Sequence, residues 1–380
     1  MRLPPVLRNR DVVLLLTALL EQCHGDFDTF LDTLEVLIGV NVLRLRAPRP
    51  LINYNNNFDR HMDAATARTK FRFSIDQLAV LCVKLRLPEF TVTPWHDKVD
   101  TVEAVAIVCR RMAETCRLYT IASEFGRSLE ACSRIINAVV NAIYRKWHDV
   151  MYFHERLTAL RADSYAEAIE TKSGLRGMKT CIAFIDGTKQ FISRPTPRPT
   201  ASEPENLQRV VYNGHPRRHC LNWQGVSVPD GIIVGMYGPV EGRRHDSTML
   251  SMSCLLDRFK ANPVLARFCL YGDPAYGCRQ CLSCPFANAV PGTFEAVFNS
   301  SMSSVRESVE WSFHLVKGLW PYVSYDKKMK VRGSPIGLLW LTATLLTNCH
   351  TCLKPDGNQI SMYFDVKPPS LDVYLSSALP

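Results

Sequence analysis

The feature that most constrains this chain is a change of pattern near residue 178. Upstream, from about 70 to 150, apolar residues recur at helical spacing. Downstream, short β-prone runs alternate with helical stretches. Ser74 is placed to cap a helix through Leu85, with Leu78, Leu81 and Leu85 on one face. Asp100 or Thr101 can cap a second, from Val102 to Thr115, and Tyr119–Phe125 forms a short third. The turn Gly126-Arg127-Ser128 then leads into a long helix marked by Leu129, Cys132, Ile136, Val139 and Ile143. Short helix, glycine turn, long helix is the outline of a helix-turn-helix. Beyond residue 178, Cys181–Ile185 reads as a strand ending in Asp186-Gly187. Cys220–Val228 and Ile232–Tyr237 read as strands joined by Pro229-Asp230-Gly231, and Phe268–Tyr271 as a fourth ending at Gly272-Asp273. Helices are expected from Asp246 to about Phe259, over 303–318 and over 335–350. The chain thus divides into N-terminal helices and a polar, Pro-containing linker (1–58), an all-helical region (59–160), an α/β region (178–353) and a tail (354–380).

Three carboxylates stand out in the α/β region by position. Asp186 and Asp273 each follow an apolar strand, and side chains at the carboxyl ends of neighbouring strands converge on one sheet edge. Glu310 lies among the core-type residues Val309, Trp311 and Phe313, so its helix should turn it toward the sheet. Gathered carboxylates repel unless a cation compensates. Hard cations such as Mg²⁺ and Mn²⁺ take oxygen ligands, and a pair of them can activate water and stabilise the leaving oxygen of a phosphodiester.

Several motifs occur in a fixed order: Asp186-Gly187-Thr188; Tyr212-Asn213-Gly214 with Arg217-Arg218-His219; His245-Asp246-Ser247; Gly272-Asp273-Pro274-Ala275-Tyr276; and Arg306-Glu307-Ser308-Val309-Glu310-Trp311-Ser312-Phe313. Together, over roughly residues 70–350, they resemble the DDE endonuclease domain of PIF/Harbinger transposases and their domesticated relatives. The resemblance implies a ribonuclease H-like catalytic core, a mixed sheet with flanking helices, behind a helical N-terminal region of DNA-binding type. It implies Asp186, Asp273 and Glu310 as catalytic metal ligands for Mg²⁺ or Mn²⁺. It links Asp246 with metal binding too, although Asp246 is equally well placed as a helix N-cap. It further implies cutting of DNA at transposon ends and joining to a target, a nuclear location, a Myb-like accessory protein and a homo-oligomer. A domesticated or decayed copy that binds DNA or protein without cutting is the alternative. The chain departs from the family pattern at Lys189, where His is usual, and at Ala275, where Gly is usual.

The formal net charge of +9 fits a polyanionic partner. Basic residues cluster around the acids: Lys189, Arg194, Arg198, Arg209, Arg217, Arg218, Arg243 and Arg244, with a second run at Lys327, Lys328, Lys330 and Arg332. DNA phosphates entering an acidic site need such countercharge. Trp223 and Trp311 could stack on bases, but Trp among apolar neighbours usually packs in the core. Fourteen scattered cysteines are a reduced, intracellular pattern. Cys278, Cys281 and Cys284 form C-x₂-C-x₂-C, and Cys349 and Cys352 form C-x₂-C, but zinc needs four ligands and no second pair stands at finger spacing, so zinc stays an open alternative and no zinc ligand is assigned. Arg2, Arg8 and Arg10 precede the apolar run Val12–Leu20, but no cleavage pattern follows, and the run is too short for a bilayer. A buried helix is expected there, and no membrane partner.

Overall fold

The computed structural model describes residues 9–40, 42–43, 51–177, 179–196 and 206–376. It divides into two units, Met1–Leu51 and Ile52–Pro380. The first contains α1 (Asn9–Gln22) and α2 (Phe27–Gly39), the latter capped by Asp26, whose carboxylate accepts from the Asp28 and Thr29 amides. The expected burial of the first helix is not seen. Val13 and Leu14 of α1 are exposed, as are Phe27, Leu31 and Val36 of α2. Two short helices can cover only one face of each other, and the remaining apolar positions stay outside. Arg2, Arg8, the Arg46–Pro50 stretch and Arg198 lie outside the described residues.

The second unit begins with α3 (Ala64–Phe71) and α4 (Ile75–Lys84), which starts at a capping box between Ser74 and Gln77. A hairpin of β1 (Phe90–Val92) and β2 (Lys98–Asp100) follows, so this region is not all-helical as expected. Its strands are three residues each, with one buried residue apiece, Thr91 and Val99, which is too short to leave a period-two pattern. Asp100 then caps α5 (Thr101–Ala113), followed by α6 (Leu118–Glu124), α7 (Leu129–Tyr152, capped by Ser128) and α8 (Glu155–Ser173). The Asn53–Asn57 stretch, expected as part of a linker, is packed. Asn56 Nδ2 donates to the Ser123 carbonyl at 2.6 Å, and Phe58 stacks on Phe125. Gly126 has φ +59° and lies so close that a Cβ there would sit 1.9 Å from the Asn56 carbonyl oxygen. The α6–turn–α7 outline is therefore real, but α7 is a central core helix, burying Ile135, Val139, Ile143 and Trp147 and packing against α5. The arginines at its start are tied down, Arg127 to Glu103 and Arg134 to Asp97.

The sheet is built from β3 (Cys181–Phe191), a short β4 (Tyr212–Asn213) after α9 (Leu207–Val211), β5 (Arg218–Ser227), β6 (Ile233–Glu241), β7 (Cys269–Gly272) and β8 (Leu282–Ser283). The order is β6 and β4 beside β5, then β3, β7 and β8. β3, β5 and β6 pair antiparallel, whereas β3–β7 and β7–β8 pair parallel. Between β6 and β7 the expected single helix is two, α10 (Asp246–Ser253) and α11 (Leu255–Ala261), broken where Cys254 takes φ +52°. α12 (Phe294–Leu319) packs on β3 and β5, while α13 (Ile336–Cys352) and α7 pack on β6. Trp223 of β5 is fully buried and stacks on Trp340 of α13.

The expected tail is structured: α14 (Gln359–Phe364) and α15 (Leu371–Ser376) bury Ile360, Phe364, Leu371 and Tyr374. Asn358 Nδ2 donates to the Gly231 carbonyl at 2.8 Å, and the Tyr374 carbonyl lies 2.8 Å from His154 Nε2. One apolar cluster runs from Ala67 to Leu375, so the helices of 59–160 and the sheet share a core. No helix among the described residues is long and apolar enough to cross a membrane.

Candidate active site

β3 does not end at Asp186 as expected. It continues to Phe191, and Asp186 pairs with Gly225 in mid-strand. The extension was hidden by its polar sequence, Thr188-Lys189-Gln190. Gln190 is buried and satisfied, accepting from Trp223 Nε1 at 3.0 Å and donating to the Val323 carbonyl at 2.8 Å. The parallel register with β7 closes on the pair Ile185–Gly272, which makes Asp186 and Asp273 the next residues on adjacent strands. Asp273 leaves the strand and caps a 3-10 turn, Pro274–Tyr276, by accepting from the Ala275 amide at 2.8 Å.

Asp246 joins this group from the start of α10. It is the first helical residue, not the N-cap; that position belongs to His245, and its side chain makes no capping bond. Gly187 permits the approach, since a Cβ there would lie 2.7 Å from Asp246 Oδ1. Glu310, expected to turn toward the sheet, instead sits midway along α12 on its more open side, with half of its side chain exposed (51%), because the buried stripe of the helix is taken by Val305, Val309, Ser312 and Phe313. It meets Asp186 through Arg306, whose Nη1 donates to Asp186 Oδ2 at 3.0 Å and whose Nη2 is 3.8 Å from Glu310 Oε1.

The electrostatics follow from this crowding. Burial pushes the Asp186 carboxyl above its usual range; the Gly187 amide and Arg306 oppose the shift, while Glu310 and Asp246 add to it. Burial also raises Asp246, with Lys189 and His245 opposing and Asp273 adding. Tyr276 lies among the same acids: burial raises its pKa, and Asp246, Asp186 and Asp273 raise it further. Its buried hydroxyl has no hydrogen-bond partner. Carboxylate oxygens and an orphaned hydroxyl are donors of the kind a hard divalent cation takes. Yet among the described residues no three His, Cys, Asp or Glu close into a metal-holding group. The residues fit such a cation by chemistry and neighbourhood, with Arg306 standing between two of them.

Three residues here carry no role in the sequence reading: Tyr276 and Arg306, which stand in the motifs quoted above, and Lys317, which does not. Arg306 and Lys317 lie four before and seven after Glu310, spacings that share one helix face. Lys317 Nζ donates to Thr188 Oγ1 at 3.0 Å, and its pKa is lowered by burial and by Lys189.

The basic residues divide. Lys189, Arg217, Arg243, Lys327 and Lys328 are exposed. Arg218 is ion-paired with Asp326 at 2.5 Å and lies over the Phe191 ring, which ties the 217–218 turn to the 326–328 turn. Arg244 pairs with Glu241. Beyond the far end of β3 a cleft of ≈ 420 Å³ is lined by Ser193, Arg194, Thr196, Lys330 and Arg332. All fourteen cysteines are free; Cys278 is exposed while Cys281, Cys284 and Cys349 are buried.

Residues 185–348 match the family model described as DDE superfamily endonuclease. The match opens at Ile185, beside Asp186, and runs through Asp246, Asp273 and Glu310 into α13. No curated protein and no solved structure matches the chain.

Proposed function

We propose that this chain is a divalent-metal-dependent DNA endonuclease of the transposase type, with Asp186, Asp273 and Glu310 as catalytic ligands and Asp246 as a further metal ligand. The observation that carries the reading is convergence. Three further carboxylates, Asp246, Asp273 and Glu310, each on a different element, lie in the neighbourhood of Asp186 inside the segment matching the endonuclease family, although among the described residues no three of them close into one metal-holding group. The strand order, three antiparallel strands continued by two parallel ones, supports a ribonuclease H-like core. Mg²⁺ or Mn²⁺, when bound, supplies a Lewis acid and an activated water. The chain's own residues hold the cation through carboxylate oxygens; Lys189 sets positive charge near Asp246, and Lys317, at Thr188, adds a second charge farther along β3 for a phosphate. Arg217, Arg218, Arg243, Arg244, Lys327 and Lys328 provide countercharge along the DNA backbone. Transposon-end and target DNA, a Myb-like accessory protein, self-association and a nuclear location belong to the PIF/Harbinger reading.

The test is nicking of supercoiled plasmid with Mg²⁺ or Mn²⁺ by wild type, Glu310→Gln and Asp273→Asn. Wild type should nick, and both variants should lose the activity by orders of magnitude while still binding DNA. A second reading, a domesticated or decayed copy that binds without cutting, draws on the exposure of Glu310 and its engagement by Arg306. Under it, wild type and variants alike bind DNA and leave the plasmid intact.

A further inference from the structure

Both oxygens of Asp186 are engaged. Oδ1 accepts from the Gly187 amide at 2.7 Å, and Oδ2 accepts from Arg306 at 3.0 Å. The second arm of the same guanidinium faces Glu310. Arg306 precedes Glu310 by one helical turn, so the two are neighbours along α12, and a planar guanidinium can serve two carboxylates at once. The arginine side chain is only 19% exposed, so this cation is mostly buried between the strand acid and the half-exposed helix acid.

We propose that Arg306 is the built-in counter-ion of the acidic cluster: its guanidinium holds the place between Asp186 and Glu310 that a divalent cation would take, and the cation binds by displacing it. The proposal rests on the metal-endonuclease reading above. Without a cation, the carboxylates repel one another, and the guanidinium offsets that repulsion. With a cation present, a second positive charge in the same space opposes its entry. Arg306 therefore stabilises the metal-free protein and weakens metal binding. A residue that only positioned Asp186 and Glu310 for the metal would have the same sign in both respects, since its loss would weaken both.

Full-length wild type, Arg306→Gln and Arg306→Lys, stripped of metal, are titrated with Mn²⁺ by calorimetry and melted with and without it. Metal-free Arg306→Gln should melt below wild type. It should bind Mn²⁺ at least about tenfold more tightly, even after solvent screening, because one charge close to the site is gone. Its gain in melting temperature on adding Mn²⁺ should be larger than that of wild type. Arg306→Lys keeps the charge but cannot span both carboxylates, so its affinity should fall between the two. Equal or weaker Mn²⁺ binding by Arg306→Gln overturns the proposal and leaves the endonuclease reading standing. Should the Gln variant not fold, equal or weaker binding by Arg306→Lys does the same. Absence of Mn²⁺ binding by every protein overturns both.

Discussion

Asp246 and Gly187 lie in contact, and the contact makes each sensitive to the other. A methyl group on residue 187 would press on Asp246 Oδ1 from 2.7 Å. Gly187→Ala should therefore displace that carboxylate and weaken Mn²⁺ binding, and calorimetry on the folded variant checks it. Asp246 also reports through pH. Burial raises its folded pKa, so the folded state binds the proton more tightly than the unfolded chain does. The stability this contributes is present below the ordinary carboxylate range and is lost as pH rises through the raised value. Asp246→Asn stays neutral throughout. Without metal, the stability difference should thus shift in favour of the variant as pH rises, and denaturant titrations across that window should show it; an unchanging difference sinks the assignment. Lys317 offers a third probe. Lys317→Met keeps the apolar stem and removes the charge beside Thr188. The variant should fold, bind Mn²⁺ at least as well as wild type, and nick plasmid more slowly. Unaltered nicking would make Lys317 a packing residue only.

At the level of elements, the site depends on how α12 is seated on the sheet. Gly225 pairs with Asp186 across β3 and β5, and it leaves room for Phe313 of α12. A Cβ at 225 would stand 2.3 Å from Phe313 Cε1. Gly225→Ala should cost about 1–3 kcal/mol of stability, the usual range for overpacking. It should also shift the helix that carries Arg306 and Glu310, lowering metal affinity without touching a ligand. Adding Phe313→Leu should recover part of both losses, and thermal melting together with Mn²⁺ titration of the double variant decides it. If the double variant is merely the sum of two losses, the two residues do not share that contact. The same elements show what was readable beforehand. β5, β6 and β7 were anticipated within a few residues, because alternating or continuous apolar runs mark them. The far half of β3 was not, since a buried, satisfied Gln190 looks like a surface residue in sequence. Arg306, though it opens a quoted motif, and Lys317 were given no role for the converse reason: a cation on a helix ordinarily faces water, and their spacing from Glu310 is the signal that places them on its face.

For the whole molecule, the C-terminal segment departs furthest from the tail its sequence suggests. Its helices are short and separated by Pro368-Pro369, so no periodicity reveals them. They nevertheless lock onto the sheet side through Asn358 and onto α13, where Asn348 Nδ2 donates to Tyr374 Oη at 2.9 Å. Removal of residues 357–380 should lower the melting temperature of the entire second unit, although no candidate ligand is deleted. The acids stand out in the sequence by their places beside apolar runs, and the structure shows how differently they are held. Asp186 lies in the middle of an eleven-residue strand with neighbours on both sides. Asp246 begins an eight-residue helix that ends at a left-handed Cys254. In a hydrogen-exchange experiment the amides around 184–187 should open only with global unfolding, whereas those of 246–253 should open locally and far sooner. The acidic cluster would then have one fixed side and one that breathes, and a cation or a phosphate group arriving there would be met by the side that can move.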